Sequence, residues 1–170
     1  MWLIKPILND SRGFTLTELS ITVVVASLLV LVAGSLMITS NEILVQSRIE
    51  TRSIQDHSLI SYLFAYTIKE GESQLSTIYT DSSMTTASSS GNCLSVTNPD
   101  METTSLYFSN HDFVMIKPNG TINRVVENIV NNLSFSERFN QDSIRTIQIS
   151  LTTDQNGYSL STNHVYSFRN

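Results

Sequence analysis

The stretch GFTLTE (residues 13–18), followed by LSITVVVASLLVLVAGSLMI (residues 19–38), decides the fold of this 170-residue chain. Residues 19–38 contain no charged side chain, and a helix of this length spans about 30 Å, the thickness of the hydrocarbon core of a bilayer. Glu18 is a single carboxylate at the start of the apolar run, where a charge is costly unless it has a partner. The sequence therefore predicts a membrane-length helix with a functional carboxylate at its entrance.

Three kinds of segment are compatible with this run. A plain transmembrane anchor fits its length. A cleaved secretory signal peptide fits the basic residues Lys5 and Arg12, but its apolar core is shorter and is followed by a small-residue cleavage site, and no convincing one precedes Glu42. The third interpretation places the processing site before the apolar run, so that a short polar leader ends at Gly13 and Phe14 opens the helix.

Residues 13–18 resemble the processing site of type IV prepilins, which is called the class III signal. The resemblance lies in the glycine, the phenylalanine after it, the glutamate five residues into the mature chain and the uninterrupted apolar run that follows. In that family a membrane-embedded aspartyl peptidase cuts after the glycine and N-methylates the new terminal residue. The resemblance implies cleavage between Gly13 and Phe14 and N-methylation of Phe14.

The charges around the junction agree with this resemblance. Lys5 and Arg12 are expected to keep the leader on the cytoplasmic side of the membrane. After cleavage Phe14 carries a free ammonium group, and Glu18 lies one helical turn further along on the same face. The resemblance to pilins supplies a partner for this carboxylate, namely the N-terminal ammonium of a neighbouring subunit in the growing filament. The alternative is a carboxylate that simply lies at the level of the lipid headgroups.

Two further features point to a subfamily. Many major pilins have a proline within the mature N-terminal helix, whereas this chain has the sequence Ala-Gly-Ser at residues 33–35 and no proline nearby. The absence of the proline favours a minor pilin or a pseudopilin. In addition, residues 126–135 (VENIVNNLSF) and the C-terminal strand resemble the J-type minor pseudopilins and the PilW-like minor pilins.

Residues 39–72 are predicted to continue the helix as an amphipathic segment. Its apolar positions approximate a 3.6-residue repeat: Ile43, Val45, Ile49, Ile60, Phe64 and Ile68. Arg48, Arg52 and Asp56 recur at every fourth position and are predicted to form a solvated face. Gly71 is the predicted end of the helix.

The remainder of the chain is predicted to be a loop followed by β-structure. Residues 73–98 are rich in serine and threonine and predict a long exposed loop with one short strand at 76–79. Alternation and turn signals then predict an antiparallel meander. Its predicted parts are strands at 106–109, 113–116 and 121–126, a helical turn and a strand within 127–139, a strand at 147–151, and a final strand that turns Tyr158, Leu160, Thr162, His164, Tyr166 and Phe168 to one side.

Together these elements predict an α+β, pilin-like fold, in which a long N-terminal helix packs on a C-terminal antiparallel sheet. The predicted segments are a leader peptide (1–13), a transmembrane and filament-core helix (14–38), an amphipathic helix (39–72), and a globular part with the loop and the meander (73–170).

The sequence lacks the motifs of the common catalytic and metal sites. It has no H-E-x-x-H, G-x-S-x-G, P-loop or paired C-x-x-C sequence, so we expect no enzyme activity, no metal and no cofactor. The net charge of −5 argues against nucleic-acid binding. The single cysteine, Cys93, excludes an internal disulfide and is predicted to be a half-buried apolar residue. His111 is predicted to cap a turn, and His164 to be a hydrogen-bonded core residue.

The sequence therefore predicts a non-catalytic filament subunit: a minor pilin or pseudopilin of a type IV pilus, a type II secretion system or a competence filament, which helps to initiate or cap assembly. The expected partners are the prepilin peptidase, other pilin or pseudopilin subunits bound through the N-terminal helix, and the inner-membrane assembly platform. The expected location is the inner membrane, with a single span and the C-terminal domain outside the cytoplasm, and then the pilus or pseudopilus. Two alternatives stay open, namely a membrane-anchored or secreted enzyme without a recognisable motif and an adhesive tip module.

Overall fold

The computed structural model describes residues 14–139 and 144–168. Within these residues one long helix, α1 (Leu16–Glu70), precedes ten strands. The strands are β1 (Thr77–Tyr79), β2 (Ala87–Ser88), β3 (Ser90–Gly91), β4 (Cys93–Thr97), β5 (Thr103–Ser109), β6 (Asp112–Ile116), β7 (Ile122–Val126), β8 (Val130–Phe139), β9 (Arg145–Gln155) and β10 (Tyr158–Ser167). The α+β class, with a long N-terminal helix and antiparallel sheets, is confirmed.

The chain divides into two compact units, residues 1–46 and residues 47–170. In the first unit every helical residue is exposed. The serine and threonine hydroxyls of the apolar run at residues 19–38 donate to carbonyls of their own helix, as Thr22 does to Glu18 O at 2.7 Å and Ser27 to Val24 O at 2.7 Å. These polar groups are therefore satisfied within the helix, as an apolar environment requires. By length and composition α1 is apolar enough to cross a membrane.

In the second unit α1 has one buried face. Its buried residues recur every third or fourth position: Ser53, His57, Ile60, Phe64 and Ile68. The last three were predicted and are confirmed as core residues. The prediction is wrong for Ile43 and Val45, because they belong to the first unit, in which every described helical residue is exposed.

The strands form two antiparallel sheets. The six-stranded sheet has the order β2-β1-β4-β5-β6-β7, and the four-stranded sheet has the order β10-β9-β8-β3. Phe64 contacts both sheets edge-to-face, with ring centroids 5.1 Å from Phe113 on β6 and 5.6 Å from Phe135 on β8. The apolar core of the second unit therefore lies where α1 meets the two sheets.

The predicted exposed loop at 73–98 is wrong over most of its length. The short strand near its start is confirmed as β1, but β4 follows and pairs with β1 on one side and β5 on the other. Cys93, Leu94 and Val96 of β4 are buried, so Cys93 belongs to the core rather than to a half-buried position. The five-residue run CLSVT is too short to show a period, and its burial comes from its pairing with β1 and β5 in the middle of a sheet.

One glycine in this region is required because two backbone segments approach each other closely. A Cβ atom at Gly91 in β3 would lie 1.9 Å from the carbonyl oxygen of Tyr79 in β1. Only glycine allows the backbone to approach so closely. The adjacent Ser89 carbonyl accepts the Glu137 N–H at 2.8 Å, which joins this serine-rich segment to the four-stranded sheet.

The predicted helical turn before β8 is also wrong. Asn128 has a φ of +58°, and the N–H groups of Ile129 and Val130 donate to the His111 carbonyl at 3.1 and 2.9 Å. These hydrogen bonds hold the connection between the two sheets against the β5–β6 turn. A distant part of the chain therefore satisfies the backbone groups that a helical turn would have paired locally.

The β9–β10 hairpin is longer than predicted. The predicted strand at 147–151 extends to Arg145–Gln155, and the turn narrows to two residues, Asn156 and Gly157, with φ values of +52° and +86°. Positive φ at both central residues is typical of a two-residue type I′ turn.

The parity predicted for β10 is confirmed in part. Its even-numbered residues are half-buried, except His164, and Phe168 is buried beyond its end. The prediction of His164 as a core residue is wrong, because its side chain is exposed. β10 is the outer strand of its sheet and has a neighbour on one side only, so its side chains are only partly covered.

Candidate assembly site at the N-terminus of the helix

The candidate site comprises the residues at the start of α1. Lys5, Arg12 and Gly13, which carry the predicted leader charges and one side of the cleavage junction, lie outside the described residues. Phe14, the other side of the junction, has 80% of its surface exposed and precedes the first helical residue by two positions. The new N-terminus expected from cleavage would therefore lie directly before the first turn of the helix.

Thr15 and Glu18 form a reciprocal cap at this helix start. The Thr15 N–H and the Thr15 hydroxyl both donate to Glu18 Oε2, at 2.9 and 2.8 Å. In return the Glu18 N–H donates to Thr15 Oγ1 at 3.3 Å. This arrangement is a capping box, in which the first and fourth residues satisfy each other's backbone N–H groups. The T-x-x-E spacing at residues 15–18 carries this signal, and the sequence analysis missed it.

The cap orients the Glu18 carboxylate at the end of the helix. Both bonds from Thr15 go to one oxygen, Oε2, and Oε1 takes part in neither. The N-terminal end of a helix carries a partial positive charge that favours a carboxylate, but this effect is small. Among the described residues the first basic side chain of α1 is Arg48, which is more than eight turns further along. The helix itself therefore supplies no full positive charge near Glu18.

Comparison with protein families agrees with this geometry. Residues 8–34 match the prokaryotic N-terminal methylation motif, which covers the junction, the capping box and most of the apolar run. The chain carries a type IV prepilin-like signal. No curated protein matches the chain, and no solved structure matches it either. The family match thus covers the N-terminal segment only, and the fold of the second unit is described from the structure alone.

The other reactive side chains among the described residues do not form a second candidate site. Within residues 14–139 and 144–168 no cluster of three or more histidine, cysteine, aspartate or glutamate side chains has a geometry that could hold a metal ion. Cys93 is fully buried, and burial, followed by the charge of Asp81, raises the pKa of its thiol to about 11. The thiol is therefore protonated at neutral pH and enclosed by the core.

The three histidines have different environments. As predicted, His111 lies in a turn, where its Nδ1 is 3.0 Å from the Val130 carbonyl. Asp112 Oδ1 accepts the Asn128 N–H at 2.9 Å, so this turn caps the connection between the sheets. The buried histidine is His57 on α1, which the sequence analysis did not single out.

Proposed function

We propose that this protein is a non-catalytic minor subunit of a type IV pilin-like filament, with PilW-like or J-type pseudopilin character. The observation that carries the proposal is the methylation motif at residues 8–34, which includes the start of α1 and most of the exposed, uncharged run at residues 19–38. The absence of the helix proline supports a minor rather than a major subunit.

The exposed apolar surface of α1 must be buried away from water. Leucine, isoleucine and valine side chains throughout the run from Leu16 to Ile38 are about half to five-sixths exposed in the isolated chain. A surface of this size is stable in a bilayer or against other apolar helices, but not in water. We infer that the bilayer covers it first, in a single inner-membrane span, and that the helices of other pilin or pseudopilin subunits cover it after assembly.

Glu18 provides the charge for this assembly step. The prepilin peptidase removes residues 1–13 and methylates Phe14, which leaves an ammonium group at the end of the mature helix. The capping box holds Glu18 beside that end, where its carboxylate pairs with the ammonium of a neighbouring subunit in the filament. In a bundle of apolar helices the dielectric constant is low, so this attraction is much stronger than it is in water.

Processing is tested by mass spectrometry of the N-terminal peptide from native cells. We expect a mature chain that begins at N-methylated Phe14. A chain that begins at Met1, or one trimmed beyond Ile38, would contradict the proposal and favour a plain anchor or a secreted protein.

The role of Glu18 is tested by comparing two substitutions. Glu18→Gln keeps the capping box, because glutamine also fits its fourth position, but it removes the charge. Glu18→Ala removes both. We expect membrane insertion and cleavage to be normal for Glu18→Gln, while incorporation into filaments falls tenfold or more, since a hydrogen bond to a charged group contributes about 1.5–3 kcal/mol.

Glu42→Gln is the matched control, because it removes one carboxylate from the same helix beyond the apolar run. Processed protein and filament-associated protein are measured separately in each strain. Normal incorporation of the Glu18→Gln variant would show that the carboxylate only caps the helix. An equal loss in the Glu42→Gln strain would show a general effect of charge rather than an ion pair at Glu18.

A further inference from the structure

The buried face of α1 in the second unit is apolar at one end and polar at the other. Its later part contributes three apolar core residues: Ile60, Phe64 and Ile68. Its earlier part contributes Ser53 and His57 on the same face. The other residues of α1 from 47 to 59 are exposed or half-buried. The earlier part therefore buries little apolar surface, and polar contacts hold it on the sheet.

His57 makes the polar contacts to the four-stranded sheet. Its Nδ1 lies 2.9 Å from the Thr153 hydroxyl on β9, and its Nε2 lies 2.9 Å from the Thr162 hydroxyl on β10. A neutral imidazole has one N–H donor and one acceptor nitrogen, and a hydroxyl can serve either role. Both ring nitrogens are thus satisfied when His57 is neutral, although only 7% of its surface is exposed.

Ser53 adds nothing to this attachment. Its hydroxyl oxygen is buried, one turn before His57, and has no hydrogen-bond partner among the described residues. A buried polar group without a partner costs free energy, and exposing this oxygen to water would remove that cost. The Ser53 turn therefore favours release from the sheet, and His57 opposes it.

The charges around His57 disfavour its protonated form. Burial, and then repulsion from His164 on β10, lowers the pKa of His57. On α1 the adjacent Asp56 is already paired with Arg52, at 3.7 Å. On β9 the helix-facing residue is Thr153, and the neighbouring Asp154 falls on the opposite face of the strand by alternation. Among residues 14–139 and 144–168, no carboxylate is one of the groups that shift the pKa of His57.

We propose that His57, Thr153 and Thr162 form a proton-sensitive latch between α1 and the four-stranded sheet, and that the buried Ser53 hydroxyl favours its release. Neutral His57 holds residues 47–58 of the helix on β9 and β10. When His57 takes a proton from solvent, the charged ring is more stable in water than in its buried position between α1 and the sheet. Residues 47–58 therefore leave the sheet. Ile60, Phe64 and Ile68 stay packed, because their burial is apolar and independent of pH. The latch lies within the second unit and does not depend on the filament role.

Hydrogen–deuterium exchange of the full chain in detergent micelles tests the latch. Exchange is followed in peptides from residues 47–58 and 60–70 at about pH 7.5 and about pH 5, on either side of the ordinary histidine pKa of about 6.5. After correction for the intrinsic exchange rate, we expect opening of 47–58 to rise several-fold at the lower pH, with no change in 60–70.

The chain has three histidines, which provide matched variants. His57→Gln should abolish the pH response of residues 47–58, His164→Gln should reduce it, and His111→Gln, in a turn away from the helix, should retain it. An unchanged response in His57→Gln, or equal opening of both segments, would overturn the proposal. If His57→Gln does not fold, an NMR titration of the native protein decides, and a His57 pKa at or above the ordinary value would refute the latch.

Discussion

Replacing Phe64 by alanine should strongly destabilise the second unit. Phe64 is 1% exposed and lies edge-to-face against Phe113 of one sheet and Phe135 of the other. A buried Phe→Ala change costs about 3–5 kcal/mol through lost transfer free energy and the cavity that remains. Aromatic pairs contribute about 0.5–1.5 kcal/mol each beyond their buried area, so we expect a value near the upper end of that range. Small domains have a total stability of about 5–15 kcal/mol, so this loss is a large share.

The measurement is urea unfolding of a fragment that begins at about residue 42, which keeps the whole second unit and lacks the apolar run. With a slope of about 2 kcal/mol per molar urea, a loss of 4 kcal/mol moves the midpoint by about 2 M. Tyr62→Ala is the matched control, because Tyr62 is also an aromatic residue of α1 but is 64% exposed. Its effect should stay within about 0.5 kcal/mol.

The test is the difference between the two variants in the free energy of unfolding. A loss below about 1 kcal/mol for Phe64→Ala would mean that the helix does not pack between the sheets as described, since a filled aromatic site cannot be emptied at so low a cost. Equal losses for Phe64→Ala and Tyr62→Ala would show that burial does not determine the effect, since alanine favours the helix in both variants.

Two further predictions concern the same unit. Arg145 donates to the carbonyls of Ser73 and Ser76, pairs with Glu137 and lies 5.8 Å from the centroid of the Phe168 ring. Arg145→Lys keeps the charge but loses the forked donors, so it should cost about 1–3 kcal/mol in urea unfolding, and an unchanged midpoint would refute this role. Cys93 should react with a maleimide reagent only after the protein unfolds, because its thiol is buried and has a pKa of about 11. Labelling is measured by mass spectrometry, and rapid labelling of the folded protein would contradict that prediction.

Local sequence features were sufficient where the structure follows from neighbouring residues. The apolar run and the helix up to Glu70 each depend on interactions within a few residues. Helical periodicity likewise identified Ile60 and Phe64 as core residues. The N-terminal motif is also local, and its family match spans residues 8–34. The capping box is equally local, because the T-x-x-E spacing at residues 15–18 is sufficient to indicate it.

Tertiary structure alone decided the remaining features, because each depends on a partner in another element of the fold. Cys93–Thr97 is a central strand only because β1 and β5 lie on either side of it. Asn128 leaves the helical region because His111 accepts the N–H groups that follow it. Histidine is a polar residue, and nothing adjacent to His57 in the sequence indicates that it will be buried. Two threonine hydroxyls from different strands satisfy its ring nitrogens, while the outer position of β10 leaves His164, of the same residue type, in solvent.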